Sequence, residues 1–220
     1  MDGDDGAGRA ATGGAEARLP RFSLEVGDLG RSDAHELWRA TVAPVFTADL
    51  ADPAHLAEFA ISFEAVHFGP LVLGATASVA QSFARDAATM ARCGVDHLMV
   101  QLHVEGTSRV SVAGRELTVG PGDVWAFDLT RPVATRTDDF RTVSLAVPRA
   151  LLEPHLADVD ALHGLRLPRR SALTGLLADH ILSLEARAAT LEPREAAAIA
   201  GSTAHLVAAC FGPAAAAREA

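Results

Sequence analysis

The hydrophobic period of this chain changes at Pro148, and that change limits what it can fold into. From about Ala60 to Val147, apolar residues alternate with polar ones. Beyond Pro148 they recur at three- and four-residue steps. The first pattern is that of half-buried strands and the second that of amphipathic helices, because side chains repeat every two residues along a strand and every 3.6 along a helix. Phe59, Ile61, Phe63, Ala65 and His67 share one face of a strand that Gly69-Pro70 breaks. Leu71–Val79, His97–Glu105, Ser108–Val112, Glu116–Val119, Val124–Leu129 and Thr142–Val147 read as further strands, with Gly114 and Gly120-Pro121-Gly122-Asp123 in turns. Six to eight short strands punctuated by Gly, Pro and Asp predict an antiparallel barrel or jelly roll and not a parallel α/β sheet.

The helical part begins with a short helix over Arg149–Leu156. An amphipathic helix follows over residues 171–187, with Leu173, Leu176, Leu177, Ile181 and Leu184 on one stripe. A last helix is expected from Pro193, which suits a first turn, to Phe211, with Gly212-Pro213 ending it. Ile199, Thr203, Leu206, Val207 and Cys210 share its face. Two such helices joined by a short connection form an antiparallel hairpin that lays one face on the barrel. The fold class is therefore α+β. Residues 1–20 form a leader of small and acidic residues, expected to be disordered, with order beginning near Phe22. Residues 21–149 form the barrel, with a short helix capped by Ser32 or Asp33 and stopped by Pro44, and residues 150–220 form the helical region.

Charge and cysteine content narrow the function. All 19 basic residues are arginine, and the net charge is −9. Phosphate neutralisation supplies much of the affinity of nucleic-acid-binding domains, so a chain with no basic cluster beyond Arg169-Arg170 is a poor candidate for direct DNA or RNA contact. Cys93 and Cys210 are far apart and belong to no Cys-x-x-Cys pair, which fits a reducing compartment. The acidic start, Met1-Asp2-Gly3-Asp4-Asp5, is not a secretory signal, and no run reaches the ~20 apolar residues of a membrane span.

Pro121-Gly122-Asp123 is the most specific local motif. Pro fixes φ, Gly reaches conformations closed to other residues, and Asp bonds the following amides, so the triplet is a structural turn. A metal centre is not expected. His97 and His103 lie six residues apart on one strand, about 20 Å, too far to share an ion. No histidine follows in the strand after the turn, which ends on Asp128 and Leu129. No Gly-x-Ser-x-Gly elbow or phosphate-binding glycine loop is present.

Several stretches, in order, resemble the effector-binding domain of AraC/XylS-type transcription regulators, a cupin-like barrel with a trailing helical pair. They are Leu37-Trp38-Arg39 with Pro44 and Phe46, Phe68–Leu73, Asp96–Leu102 with Gly106, Leu117–Asp128, and Val147-Pro148-Arg149, and they span about residues 22–211. The resemblance implies a cytoplasmic, non-enzymatic domain without cofactor that binds a small-molecule effector and forms a homodimer through its helices. Leu177, Ile181, Leu184, Ile199, Leu206 and Val207 are the expected dimerisation residues. In the family a helix-turn-helix domain follows and contacts DNA. This sequence ends at Ala-Arg-Glu-Ala, where that domain is expected to begin, so DNA contact is expected only through a domain this chain does not carry.

Alternative expectations are a metal-dependent cupin-type enzyme and a stand-alone module that dimerises with full-length regulators. An effector is expected inside the barrel, where concave, largely apolar walls with a few polar groups occur. On the His97–Glu105 strand either the aliphatic face (Leu98, Val100, Leu102, Val104) or the mixed face could point inward. The mixed face suits a pocket, which nominates Met99, Gln101 and His103, with Trp125 and Phe127 across the barrel, as ligand-binding residues.

Overall fold

The computed structural model describes residues 18–219. Residues 1–17, most of the expected leader, lie outside the described residues. The strands are β1 (Arg21–Ser23), β2 (Thr47–Leu50), β3 (Ile61–Phe68), β4 (Leu71–Ser78), β5 (Gln81–Arg85), β6 (His97–Glu105), β7 (Ser108–Val112), β8 (Arg115–Val119), β9 (Val124–Asp128), β10 (Val133–Thr137), β11 (Phe140–Pro148) and β12 (Leu165–Leu167). The helices are α1 (Arg31–Val42), α2 (Ala87–Cys93), α3 (Arg149–Leu152), α4 (Ala172–Arg187) and α5 (Pro193–Glu219). A seven-stranded sheet in the order β1-β3-β4-β11-β6-β9-β12 faces a five-stranded sheet in the order β2-β5-β10-β7-β8. All pairings are antiparallel. The molecule is a cupin-like jelly roll with C-terminal helices, an α+β fold.

The two faces of β6 explain the layering. Leu98, Val100 and Leu102 are fully buried on one side, together with Val143 and Leu145 of β11 and Leu71 and Leu73 of β4. Onto that aliphatic face pack Leu177, Ile181 and Leu184 of α4 and Ala200, Ala204, Val207 and Phe211 of α5, in one continuous core. The opposite face carries Met99, Gln101 and His103 and looks toward the five-stranded sheet. Between the sheets, Val110, Val112, Val119, Trp125, Phe127, Leu129 and Val133 form a second core. Helices α4 and α5 run antiparallel, since Cys210 meets the Leu173 carbonyl (3.4 Å) while His180 meets Thr203 (2.8 Å).

Several expectations need correction. Order begins before Phe22, because Leu19 is buried in the helix-facing core and the Pro20 carbonyl accepts from the His67 amide. The cap of α1 is Gly30, whose carbonyl accepts from the Ala34 amide, and not Ser32 or Asp33. Strands β2, β5 and β10 escape a hydrophobicity reading because residues such as Asp49, Ser82 and Arg136 interrupt them. Helix α5 continues through Gly212-Pro213 to Glu219. A proline obstructs helix at the residue before it mainly through that residue's Cβ, and Gly212 has none. Ala214 and Ala215 then hold the extra turns on the core. The resulting segment Pro193–Ala217 is long and apolar enough to cross a membrane by length and composition, contrary to the expectation of no such run. Its buried face lies against the sheet.

The expected dimerisation residues pack against the chain's own sheet. Leu177, Ile181, Leu184 and Val207 are buried in the protomer's own core, and Ile199 and Leu206 pack partly against it. The helical stripe is used up by the sheet. The large apolar residues that α4 leaves exposed are Leu173 and Leu176, at 41% and 59%.

Polar ties lock the ends of the sheet. Arg149, at the start of α3, donates to Asp96 (2.8 Å), Asp128 (2.5 Å) and Asp160 (2.7 Å). Asp128 is 1% exposed, whereas Asp96 and Asp160 are largely solvated. Exposed pairs contribute little, but removing the partner of a buried carboxylate is expensive. Arg149→Ala is therefore expected to lower the unfolding free energy by about 3–5 kcal/mol, measured by urea denaturation. Arg149→Lys, which keeps the charge and loses the fork, should recover only part of it.

Candidate functional site

A cavity of about 390 Å³ lies between the two sheets. That is within the usual size of small-molecule sites. One wall is the mixed face of β6, continued by Trp125 and Phe127 of β9, Ser144 and Thr142 of β11, Thr76 and Gly74 of β4 and Phe63 of β3. The facing wall comes from Phe83 of β5, Ser108 of β7 and Val133, Thr135 and Thr137 of β10. Trp38, Thr41 and Val42 of α1, with Val45 and Phe46 after it, close one side. No Asp, Glu, Lys or Arg lines the cavity among the described residues.

Aromatic rings dominate the walls. Trp125 and Phe127 alternate on β9, so both point inward, and their rings stack at 4.3 Å and 28°. Phe46 approaches Phe127 (6.1 Å) and Phe83 (6.3 Å), Phe83 meets Phe140 edge-on (5.8 Å), and Trp38 lies against Phe63 (5.5 Å). Much of the polar lining is already satisfied. The Trp125 indole donates to Gln101 Oε1 (3.0 Å), and Gln101 Nε2 donates to Ser144 Oγ (3.0 Å). The Trp38 indole donates to Gln81 Oε1 (2.8 Å), whose amide donates to Ser78 Oγ (2.6 Å).

One end of the cavity is different. The buried His103 imidazole interacts with the Gly106 backbone but makes no well-formed hydrogen bond, and the hydroxyl of Thr137 is buried without a partner, as is Nδ1 of His97 at the other end of β6. Register brings the first two to the same end. His103 lies opposite Thr142, and the Gly106 turn carries the chain from β6 to Ser108, which lies opposite Thr137. Gly106 has φ +77, and a Cβ there would sit 2.2 Å from the Asp139 carbonyl oxygen, so the turn requires glycine. Burial lowers the His103 pKa to about 4, against the opposing pull of the Asp123 carboxylate and the Gly106 backbone. The imidazole is neutral at pH 7.

All five residues nominated from the sequence, Met99, Gln101, His103, Trp125 and Phe127, stand on this wall. The sequence left open which face of β6 looks inward, and both turn out to be buried. The aliphatic face is covered by helices and the mixed face lines the cavity. Trp38, Phe46, Phe83, Thr137 and Phe140 were not foreseen as part of the site. Trp38 and Phe46 do belong to the first matching stretch, but Phe83 and Thr137 sit on strands with no apolar period. Pro121-Gly122-Asp123 is a turn and lies outside the lining. The Asp123 carboxylate accepts from the amides of Gly120 (3.1 Å) and Arg169 (2.9 Å) and from the Arg166 guanidinium (2.9 Å). Burial opposes its ionisation, yet these donors outweigh that and hold its pKa below the ordinary value. Gly122 has φ +82 and would meet Arg169 at 2.9 Å if it carried a Cβ.

No group of three His, Cys, Asp or Glu side chains among the described residues is placed to hold a metal ion. Cys93 is at the end of α2 and Cys210 on α5, neither on the cavity.

The family described as an AraC-binding-like domain matches residues 38–211, a span that runs from α1 through the cavity strands into α5. The chain belongs to this family. Among solved structures, this AraC-binding-like domain is similar to the AraC-like transcriptional activator CuxR, with 25% identity and a TM-score of 0.78 over 87% of this chain and 69% of that one. EutQ of Clostridium difficile shows a partial likeness, at 13% identity and a TM-score of 0.34 over 46% of this chain and 74% of that one. KdgF from Halomonas sp. is comparable, at 17% identity and a TM-score of 0.31 over 40% and 79%. No curated protein sequence matches the chain.

The buried imidazole gives a pH test. Unfolded, His103 takes up a proton near 6.5; folded, it does so near 4. Between those values the unfolded chain holds more protons, so stability falls as pH drops from 6.5 toward 4 and the contribution levels off below. His103→Gln should remove this part of the slope, about 1.4 kcal/mol per pH unit. Parallel urea titrations from pH 7 to 5 measure the difference. His35 and His180, also lowered by burial, act equally in both proteins and cancel.

Proposed function

We propose that this AraC-binding-like domain is the effector-binding and dimerisation part of a cytoplasmic transcription regulator and acts without catalysis. The observation that carries the reading is the cavity between the sheets, rich in aromatic rings and lined by no charged side chain among the described residues, with the buried His103 imidazole and Thr137 hydroxyl at one end. Family membership supports it, as does the likeness to CuxR, an AraC-like transcriptional activator. The net charge of −9 argues against this domain touching DNA itself, so DNA is reached through a helix-turn-helix domain.

A ligand held in the cavity stabilises the folded state by about 2.7 kcal/mol at a concentration 100 times its Kd. Screening small molecules by thermal melting should therefore find compounds that raise Tm. Gly74 supplies the control. A Cβ there would meet only Phe63, at 3.8 Å, so Gly74→Leu projects into the cavity. That variant should fold and lose the shift. Compounds that stabilise both proteins equally, or none that stabilise the parent, would count against the reading.

The second part of the proposal is a homodimer through the outer face of α4. The exposed Leu173 and Leu176 lie three residues apart and face away from the core. Sedimentation equilibrium at tens of micromolar should show a dimer that Leu173→Asp with Leu176→Asp converts to a monomer of unchanged Tm. A parent that stays monomeric would remove this part.

A further inference from the structure

We propose that the ligand of this cavity is an uncharged aromatic molecule of one or two rings, carrying a single hydroxyl or carbonyl group that meets His103 and Thr137. This rests on the effector-binding reading and narrows it to a chemical class.

The first constraint is charge. An ionised carboxylate, phosphate or amine entering the cavity would lose its hydration, and no ionised side chain lines the wall to replace it. Nor does the histidine at the polar end supply a cation at neutral pH, since burial keeps it neutral.

The second constraint is shape. The Trp125–Phe127 stack on one wall and Phe83 on the facing wall, edge-on to Phe140, offer ring faces and edges to a flat molecule.

The third is the number of free polar groups. The Trp125 and Trp38 indoles are committed to Gln101 and Gln81, and the amides of those glutamines to Ser144 and Ser78. At one end, His103 and Thr137, 1% and 5% exposed, have no side-chain partner, beside the hydroxyls of Ser108 and Thr142. A hydroxyl there donates to an imidazole nitrogen and accepts from the threonine hydroxyl; a carbonyl accepts from either. A polar group at that end gains the most from these two deeply buried residues, because a buried polar atom without a partner is penalised. The free Nδ1 of His97 is about 20 Å along the strand, beyond the reach of a one- or two-ring molecule held at His103.

The test uses three probes of one shape at pH 7.5 on the full chain: naphthalene, 2-naphthol and 2-naphthoate, followed by tryptophan fluorescence and calorimetry. The expected result is that 2-naphthol binds about tenfold more tightly than naphthalene and that 2-naphthoate binds more weakly than both. Thr137→Val and, separately, His103→Leu should reduce 2-naphthol to the level of naphthalene while leaving naphthalene within about twofold. The isosteric threonine variant keeps the test valid if the histidine variant fails to fold. The proposal is overturned if 2-naphthoate binds as tightly as 2-naphthol, if the hydroxyl advantage survives in Thr137→Val, or if none of the three probes binds. In that last case, a ligand of another class whose Tm shift is lost in Gly74→Leu would leave effector binding standing and remove only the aromatic class. The absence of any such ligand would remove both.

Discussion

The seven-stranded sheet is buried on both faces, and the two faces have different chemistry. Antiparallel sheets commonly pack one face and expose the other to water. Here alternation along β6 sorts Leu98, Val100 and Leu102 to the helices and Met99, Gln101 and His103 to the cavity. Everything else in the molecule answers to that division. The helices exist to cover the aliphatic face, which is why the stripes of α4 and α5 are consumed within the protomer. The five-stranded sheet and α1 cover the other face incompletely, and the remainder is the cavity. A shift of β6 by one residue would place Gln101 and His103 on the aliphatic face under the helices.

Such an arrangement depends on fixed strand ends, and the polar ties supply them. Arg149 joins the start of β6, through Asp96, to the end of β9, through Asp128. Asp123 does the same work at the opposite end, holding the Pro121-Gly122 turn against β12 through Arg166 and against the chain after it through the Arg169 amide. A third tie, between Arg141 of β11 and Glu185 of α4 at 2.5 Å, fastens a helix to the same sheet. Buried ion pairs of this kind are weak contributors to net stability but strong determinants of which arrangement forms, because leaving a carboxylate such as Asp128 unpaired is costly.

Much of this was legible in the sequence, and what was missed has identifiable causes. Alternation over residues 61–68 and 97–105 and the glycine turns located the main strands, and the 3.6 period located α4. The five cavity residues named from the mixed face of β6 and from β9 all line the wall, because an alternating strand with one polar-aromatic face has few other uses in a two-sheet fold. Strands β5 and β10 were illegible because they hold their places by pairing and not by composition. Val133–Thr137 is hydrogen-bonded on both sides, to β5 and β7, although Ala134 and Arg136 point outward. With them went Phe83 and Thr137. The helical stripe misled in a different way. An apolar stripe shows that a face is covered and says nothing of whether the cover is the chain's own sheet or a second copy. Here the sheet offered an aliphatic surface broad enough to take it.

The same reasoning explains why the polar end of the cavity is informative. A buried polar atom without a partner destabilises a fold by about 1–3 kcal/mol. A sequence that needed only a stable barrel could place Leu at 103 and Val at 137, as it does at Leu102 and Val133. Instead, His103 and Thr137 lie at one end of a space large enough for a guest, while Gln101, Ser144 and Trp125 are tied to each other. The unfavourable term disappears when a guest supplies the missing hydrogen bonds. The free energy of binding at this end then includes those hydrogen bonds, and two neutral hydrogen-bonding residues are enough to orient a flat, mostly apolar molecule.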